Sequence, residues 1–190
     1  MNATQPNTAH APTTLRQDLL LVAFLIGFDV ATRLLVHLPN FSPVLASALF
    51  AGTALRFRSF APIVPIVALL LSDAVIGFDD WRIMAVVYAS LALPALVGIG
   101  VRRFRVSIVL VPTVLACSLF FFATTNFAVW AFDTLYTADL DGLIKCYIAA
   151  LPFLKNTLAG DLIWAVAFFG GAWLVQTTLA RVRLRRRYAS

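Results

Sequence analysis

The sequence predicts an all-α membrane protein, a six-helix transmembrane bundle with a short second helix and an outer-face helix before the last span. The chain is 61% hydrophobic and 13% charged over 190 residues, whereas a soluble domain carries roughly 25% charged residues. Apolar segments recur from Leu19 to Leu179 without a soluble insert long enough to fold alone. Clusters of arginine between these segments indicate how the spans are oriented.

The apolar segments predict spans at 16–37, 43–55, 59–77, 82–101, 106–131 and 157–180. The second segment is shorter than the roughly 20 residues that a full crossing needs, so we expect a half-buried helix tilted against its neighbours. Asp139 to Phe153 is a moderately apolar segment that ends near Pro152. By itself it fits either a seventh span or an interfacial helix.

The distribution of basic residues favours six crossings with both termini in the cytoplasm, in a bacterial inner membrane. This topology places eleven of the fifteen basic residues inside, as the positive-inside rule expects. A seventh crossing would move the arginine tail outside, so we predict that Asp139 to Phe153 is a helix that lies along the outer face or dips into it. The inside residues are Arg16, Arg56, Arg58, Arg102, Arg103, Arg105, Arg181, Arg183, Arg185, Arg186 and Arg187.

The sequence predicts a disordered polar tail at 1–14, a single transmembrane domain at 15–181 and a basic cytoplasmic tail at 182–190. A basic tail beside a span typically contacts anionic lipid, and we expect no nucleic-acid partner. Cys117 and Cys146 have no partner at metal-binding spacing, and we interpret them as packing residues.

Several polar residues lie within or beside the apolar segments, where an unpaired polar group is costly. Asp29 and Arg33 stand four residues apart and can form an ion pair on one helix face. Asp73 lies near the C-terminal end of the third helix, where a carboxylate meets the negative end of the helix dipole. It therefore needs a partner, a proton or a ligand. Asn126 and Asp161 fall at a similar depth in the fifth and sixth spans.

Polar and aromatic residues thus converge in the outer half of the predicted bundle. The aromatic residues fit either an interfacial belt or the walls of a small-molecule pocket. The polar residues fit either that pocket or a network in which they satisfy one another. The candidate substrate-binding residues are Asn40, Phe41, Asp73, Trp81, Asn126, Trp130, Tyr147, Asn156 and Asp161.

No motif indicates catalysis, a metal or a cofactor. The chain has no Walker A sequence, no His-Glu-x-x-His and no Gly-x-Ser-x-Gly, and it contains no glutamate. The first span carries Ala23, Gly27 and Ala31 at intervals of four residues. Such a stripe of small residues lets another helix approach closely, either within the bundle or from a partner protein.

Several sequence blocks resemble a bacterial family of uncharacterised membrane proteins that are described as transport proteins. These blocks include Pro39-Asn40-Phe41-Ser42-Pro43, Leu71-Ser72-Asp73, Thr125-Asn126-Phe127-Ala128-Val129-Trp130 and Asn156-Thr157-Leu158-Ala159-Gly160-Asp161. That family is similar in architecture to the S components of energy-coupling factor (ECF) vitamin transporters. The resemblance implies a six-helix fold with an outer ligand pocket, and it implies that Ala23, Gly27 and Ala31 dock on a transmembrane coupling subunit driven by ATPases.

We therefore expect a substrate-binding membrane subunit that takes up a vitamin-like small micronutrient. One alternative is a solitary transporter that needs no partner. Another is a structural membrane protein of the cell-envelope machinery, such as a rod-shape subunit, in which the outer polar groups only satisfy one another. A membrane enzyme that uses Asp73 and Asp161 as acid and base is the least favoured alternative, because no catalytic motif supports it.

Overall fold

The computed structural model describes residues 11–35 and 39–188, with side chains described for 15–35 and 39–182. Across these ranges the chain is helical and contains no strand. The helices are α1 (Ala11–Leu35), α2 (Val44–Ala54), α3 (Ile63–Ile76), α4 (Trp81–Val101), α5 (Val106–Phe132) and α6 (Leu140–Tyr188), with a 3₁₀ turn at Arg58–Phe60 before α3.

Four helical segments are long and apolar enough to cross a bilayer, at Arg58–Ile76, Trp81–Val101, Val106–Phe132 and Leu140–Val182. Large apolar side chains such as Leu70, Ile108 and Val166 are exposed on their outer faces. Lipid can cover that surface and water cannot do so without a large cost in free energy. The chain is therefore a helical membrane protein.

The short α2 lies in the centre of the bundle and contacts each of the other five α-helices. Its eleven residues are mostly small, and eight of them are buried. The prediction of a short second helix is confirmed, but the expectation that it is half-buried is wrong. Its small side chains let all of its neighbours approach closely, so most of the helix is withdrawn from lipid and water.

The closest of these approaches joins α2 to α4 at two glycines. A Cβ added at Gly52 would lie 2.1 Å from the carbonyl oxygen of Ala95, and one added at Gly98 would lie 2.4 Å from the carbonyl oxygen of Leu49. Neither position can hold a larger residue unless the two backbones separate. The small residues that matter for internal packing therefore lie on α2 and α4.

The last helix is longer than the sequence predicts. We expected an outer-face helix over Asp139 to Phe153 and a separate span from 157, but α6 continues without a break from Leu140 to Tyr188. Pro152 removes one backbone donor from the helix, and the loss of that hydrogen bond does not end it. At 1.5 Å per residue the 49 residues extend about 70 Å, which is more than twice the hydrocarbon thickness of a bilayer.

The first helix also begins earlier than predicted, since α1 starts at Ala11 and not at 16. The remainder of the predicted N-terminal tail, residues 1–10, lies outside the described residues, as do 36–38 at the predicted end of the first span. The predicted basic tail continues the backbone of α6 to Tyr188, and residues 189–190 lie outside the described part.

An aspartate lies directly before α4 and another lies directly before α6. Asp80 precedes α4 and accepts hydrogen bonds from the backbone and side chain of Arg82, which lower the pKa of its carboxyl group to about 2. Asp139 precedes α6 and accepts from the backbone N–H of Gly142, and this bond is the main reason that its pKa is lowered. Both carboxylates satisfy backbone donors that a helix start leaves free.

Candidate functional site

A cavity of ≈ 460 Å³ lies at one end of the bundle, where α1, α3 and α5 finish and α2 and α4 begin. We call this the cavity end, and the opposite end, which carries Arg56, Arg58, Arg102, Arg103 and Arg105, the arginine end. The polar and charged lining residues are Thr32, Arg33, Asn40, Ser42, Thr125, Asn126, Thr157 and Asp161. The apolar and aromatic lining residues are Phe41, Val44, Leu45, Ile76, Ile83, Val87, Leu91, Phe121, Phe122, Val129, Ala150 and Phe153.

An ion pair between Arg33 and Asp73 ties α1 to α3 beside the cavity. Arg33 Nη2 lies 2.5 Å from Asp73 Oδ1, and Arg33 Nε donates to Ser72 Oγ over 2.7 Å. The hydroxyl of Tyr88 on α4 donates to the second oxygen of Asp73 over 2.8 Å. The predicted ion pair between Arg33 and Asp29 is therefore replaced by a pair across two helices, and Asp73 has the partner that its position required.

Asp29 is fully buried and turns towards α2, where it accepts a hydrogen bond of 2.5 Å from Ser47 Oγ. Its other carboxyl oxygen is buried with no hydrogen-bond partner among the described residues. The residue lies one helical turn before Arg33 but does not line the cavity. Asp29 therefore joins α1 to the central helix and is not part of the cavity wall.

Asp161 lies on the cavity wall contributed by α6 and is 4% exposed. One carboxyl oxygen accepts a hydrogen bond of 2.6 Å from Ser118 Oγ on α5. Thr157, one helical turn earlier, also lines the cavity, and its hydroxyl donates to the carbonyl oxygen of Phe153. This stretch of α6 approaches closely to the loop before α2, because a Cβ at Gly160 would lie 3.2 Å from the Cα of Phe41.

Residues 13–183 match a family model described as a family of unknown function, DUF6580. The match covers α2 to α5 completely and most of α1 and α6. The chain belongs to the DUF6580 family. No curated protein and no solved structure matches it.

In this DUF6580 member, four of the nine predicted binding residues line the cavity: Asn40, Phe41, Asn126 and Asp161. Asn40 adopts a φ of 56° in the loop before α2, a conformation that asparagine tolerates better than most residues. Asn126 donates from its amide to the carbonyl oxygen of Phe122 over 2.7 Å. A fifth predicted residue, Asp73, lies behind Arg33 and shapes the wall through it.

The other four predicted binding residues do not line the cavity. Trp81 is 76% exposed at the start of α4. Trp130 donates to the carbonyl oxygen of Thr137 over 3.0 Å, and the Tyr147 hydroxyl donates to the carbonyl oxygen of Ala123 over 2.6 Å. Asn156 donates to the carbonyl oxygen of Pro39 over 3.1 Å and so supports the loop that carries Asn40. Trp130, Tyr147 and Asn156 therefore link helices and loops around the site.

Arg33, Ser118 and Thr125 belong to the site or contact it directly, although they were not predicted as binding residues. Arg33 lines the cavity and Ser118 holds Asp161. Arg33 lies near the end of the first span and Asp73 near the end of the third, at the same predicted depth. This shared depth favours the pair. The sequence instead predicts Asp29 as the partner of Arg33, because Asp29 is only four residues away.

The small-residue stripe of α1 faces outwards. Ala23, Gly27 and Ala31 are all exposed, and a Cβ added at Gly27 would meet no atom within 4 Å. These residues therefore do not pack against another helix in the described part of the bundle. Their exposure leaves a shallow surface at which a second helix can approach.

A second groove and the cysteines lie outside the cavity. A groove of ≈ 490 Å³ between α4 and α5 is lined by apolar residues apart from Thr113 and Cys117, and it opens towards the lipid-facing surface. In the described part of the chain no three histidine, cysteine or acidic side chains cluster as metal ligands would. Cys117 and Cys146 are buried free thiols, as expected of packing residues.

Proposed function

We propose that this protein is the substrate-binding membrane subunit of an uptake system for a vitamin-like small micronutrient. The observation that carries the proposal is the cavity at the end of the bundle. Its volume of ≈ 460 Å³ falls within the range of about 300–1,000 Å³ that is typical of small-molecule sites. Its lining combines four phenylalanines with amide, hydroxyl and charged groups, which is the usual composition of such a site.

The energy for uptake would come from partner ATPases, because the chain has no Walker A sequence. The exposed stripe of Ala23, Gly27 and Ala31 would dock on an ECF-type coupling subunit, as the resemblance to S components implies. In this proposal the protein lies in the bacterial inner membrane, with the cavity end outside and the arginine end and both termini in the cytoplasm. The topology follows from the arginine asymmetry.

The direct test is to identify a small molecule that co-purifies with the protein. Native mass spectrometry of gently purified protein should detect it, and calorimetry should then measure its affinity. Asn126→Ala should weaken binding by about 1–3 kcal/mol, because the ligand would lose a buried hydrogen-bond partner. Thr124→Val is the matched control, since Thr124 lies on the same helix but its hydroxyl faces Ser90 at 2.9 Å and does not line the cavity. Equal affinity of Asn126→Ala and wild type would remove Asn126 from the site.

The docking surface is tested by Gly27→Leu. The added side chain should abolish uptake and co-purification of the coupling subunit, while ligand binding by the isolated protein stays unchanged because Gly27 does not line the cavity. Gly100→Leu on α4 is the control, because a Cβ there also meets nothing within 4 Å but on another helix. Uptake that survives Gly27→Leu would favour the solitary transporter.

One observation favours a second candidate, a structural protein of the cell-envelope machinery. Most polar groups at the cavity end already have protein partners, among them the Arg33–Asp73 ion pair with Tyr88 and the Ser118–Asp161 hydrogen bond. A satisfied network of this kind needs no ligand. The absence of any co-purified molecule, together with no binding in calorimetry, would favour this candidate over the first.

A further inference from the structure

The cavity wall carries two charged residues in the described part of the chain, Arg33 and Asp161. The charge of Arg33 is already matched, because its guanidinium forms an ion pair with Asp73 at 2.5 Å and donates a second bond to Ser72. Tyr88 holds the other oxygen of Asp73. A ligand in the cavity would therefore contact an Arg33 side chain whose charge is balanced by Asp73.

Asp161 differs from Arg33 because its protein partner is uncharged. Ser118 donates to one carboxyl oxygen, and no basic side chain of the described residues forms an ion pair with Asp161. The residue is 4% exposed. A carboxylate at this depth in a membrane protein is costly without a counter-charge, and the open space beside it is the cavity.

The other lining residues suit the apolar part of a ligand that carries such a counter-charge. Phe41, Phe121, Phe122 and Phe153 come from the loop before α2, from α5 and from α6, and all four line the cavity. Aromatic side chains attract cations through the negative faces of their rings and also bury apolar groups. The negative faces of these four rings would not attract an anion.

We propose that the ligand of this cavity is an organic cation, with its charged nitrogen against Asp161 and its apolar or aromatic body against the four phenylalanines. This inference rests on the proposed function, because it names the class of substrate for the same site. The amine or ring nitrogen would supply the counter-charge that the protein does not supply. The neutral Arg33–Asp73 pair would accept polar groups elsewhere on the ligand.

The test uses triplets of small molecules that share one body and differ in one group. Tryptamine, tryptophol and indole-3-propionate form one triplet, and phenethylamine, phenethyl alcohol and phenylpropionate form another. Calorimetry on the full-length protein in detergent at neutral pH should show cations binding about tenfold more tightly than their neutral partners. Anions should bind more weakly still.

Asp161→Asn separates the charge from the shape of the site, since the asparagine oxygen can still accept the Ser118 hydrogen bond. This variant should lose the preference for cations within each triplet. Asn126→Ala is the matched control from the same cavity and should weaken all members alike while keeping the preference. The comparison of triplets on the wild-type protein stands even if Asp161→Asn fails to fold.

Tighter binding by neutral or anionic members, or a cation preference that persists in Asp161→Asn, would overturn the inference and leave the proposed function intact. If no triplet member binds but a small molecule co-purifies, the charge of that molecule tests the inference. A cationic molecule supports it, and a neutral or anionic molecule overturns it. If nothing binds and nothing co-purifies, the proposed function fails and this inference fails with it.

Discussion

At the scale of single residues, the Arg33–Asp73 pair makes a prediction about stability. The side chains of Arg33 and Asp73 are 23% and 12% exposed, so both charges are largely withdrawn from water. Asp73→Asn should lower the free energy of unfolding by about 3 kcal/mol or more, because it leaves a partly buried guanidinium without its counter-charge. Titration with SDS of the purified protein in detergent measures this change.

The double variant Arg33→Met/Asp73→Asn is the control for that prediction. It removes both charges and should recover most of the lost stability, since no unpaired ion remains. Wild-type stability of Asp73→Asn, or a double variant no more stable than the single one, would show that the ion pair does not hold α1 to α3.

At the scale of helices, the contact between α2 and α4 depends on Gly52 and Gly98. Gly98→Ala should lower the free energy of unfolding by about 1–3 kcal/mol, because its Cβ would lie within 2.4 Å of the Leu49 carbonyl oxygen and the helices must separate. Thermal unfolding in detergent measures the change.

Gly100→Ala on the same helix is the matched control for Gly98→Ala. A Cβ at Gly100 meets nothing within 4 Å, so alanine should be neutral or slightly stabilising through its higher helix propensity. Equal effects of the two substitutions would mean that helix propensity, and not close packing, governs both sites.

At the scale of the whole molecule, the two ends of the bundle differ in charge. Asp80 precedes α4 and Arg103 follows it, so they lie at opposite ends, and Arg82 donates to the carbonyl oxygen of Phe132 at the end of α5. Asp80 and Asp139 therefore belong to the cavity end. The positive-inside rule predicts that this end faces the outside of the cell.

Cysteine labelling tests this orientation in a background of Cys117→Ala and Cys146→Ala. A membrane-impermeant maleimide applied to intact cells should label Asp80→Cys and Asp139→Cys but not Arg103→Cys, which should react only after the membrane is opened. The last residue, Ser190, should behave like Arg103. Labelling of both Asp80→Cys and Ser190→Cys in intact cells would mean that the chain crosses the membrane an even number of times between these residues, which would contradict the three crossings predicted there.

The sequence by itself determined the properties that depend on local composition. Apolar runs of membrane length predicted the all-helical membrane fold, and the length of 43–55 predicted the short second helix, because a bilayer constrains each segment separately. The predicted depth of the polar residues also grouped Asn40, Asn126 and Asp161 in one half of the bundle. These features need no knowledge of which helices are neighbours.

Only the tertiary structure decided how those helices face one another. It paired Arg33 with Asp73 and left Asp29 to Ser47, since a charged side chain selects its partner by distance in space and not by spacing along one helix. It buried most of α2, turned the stripe of Ala23, Gly27 and Ala31 outwards, and continued α6 through Pro152. Rotation of a helix about its axis decides which residues line a cavity, and in apolar segments hydrophobic periodicity is too weak to reveal that rotation.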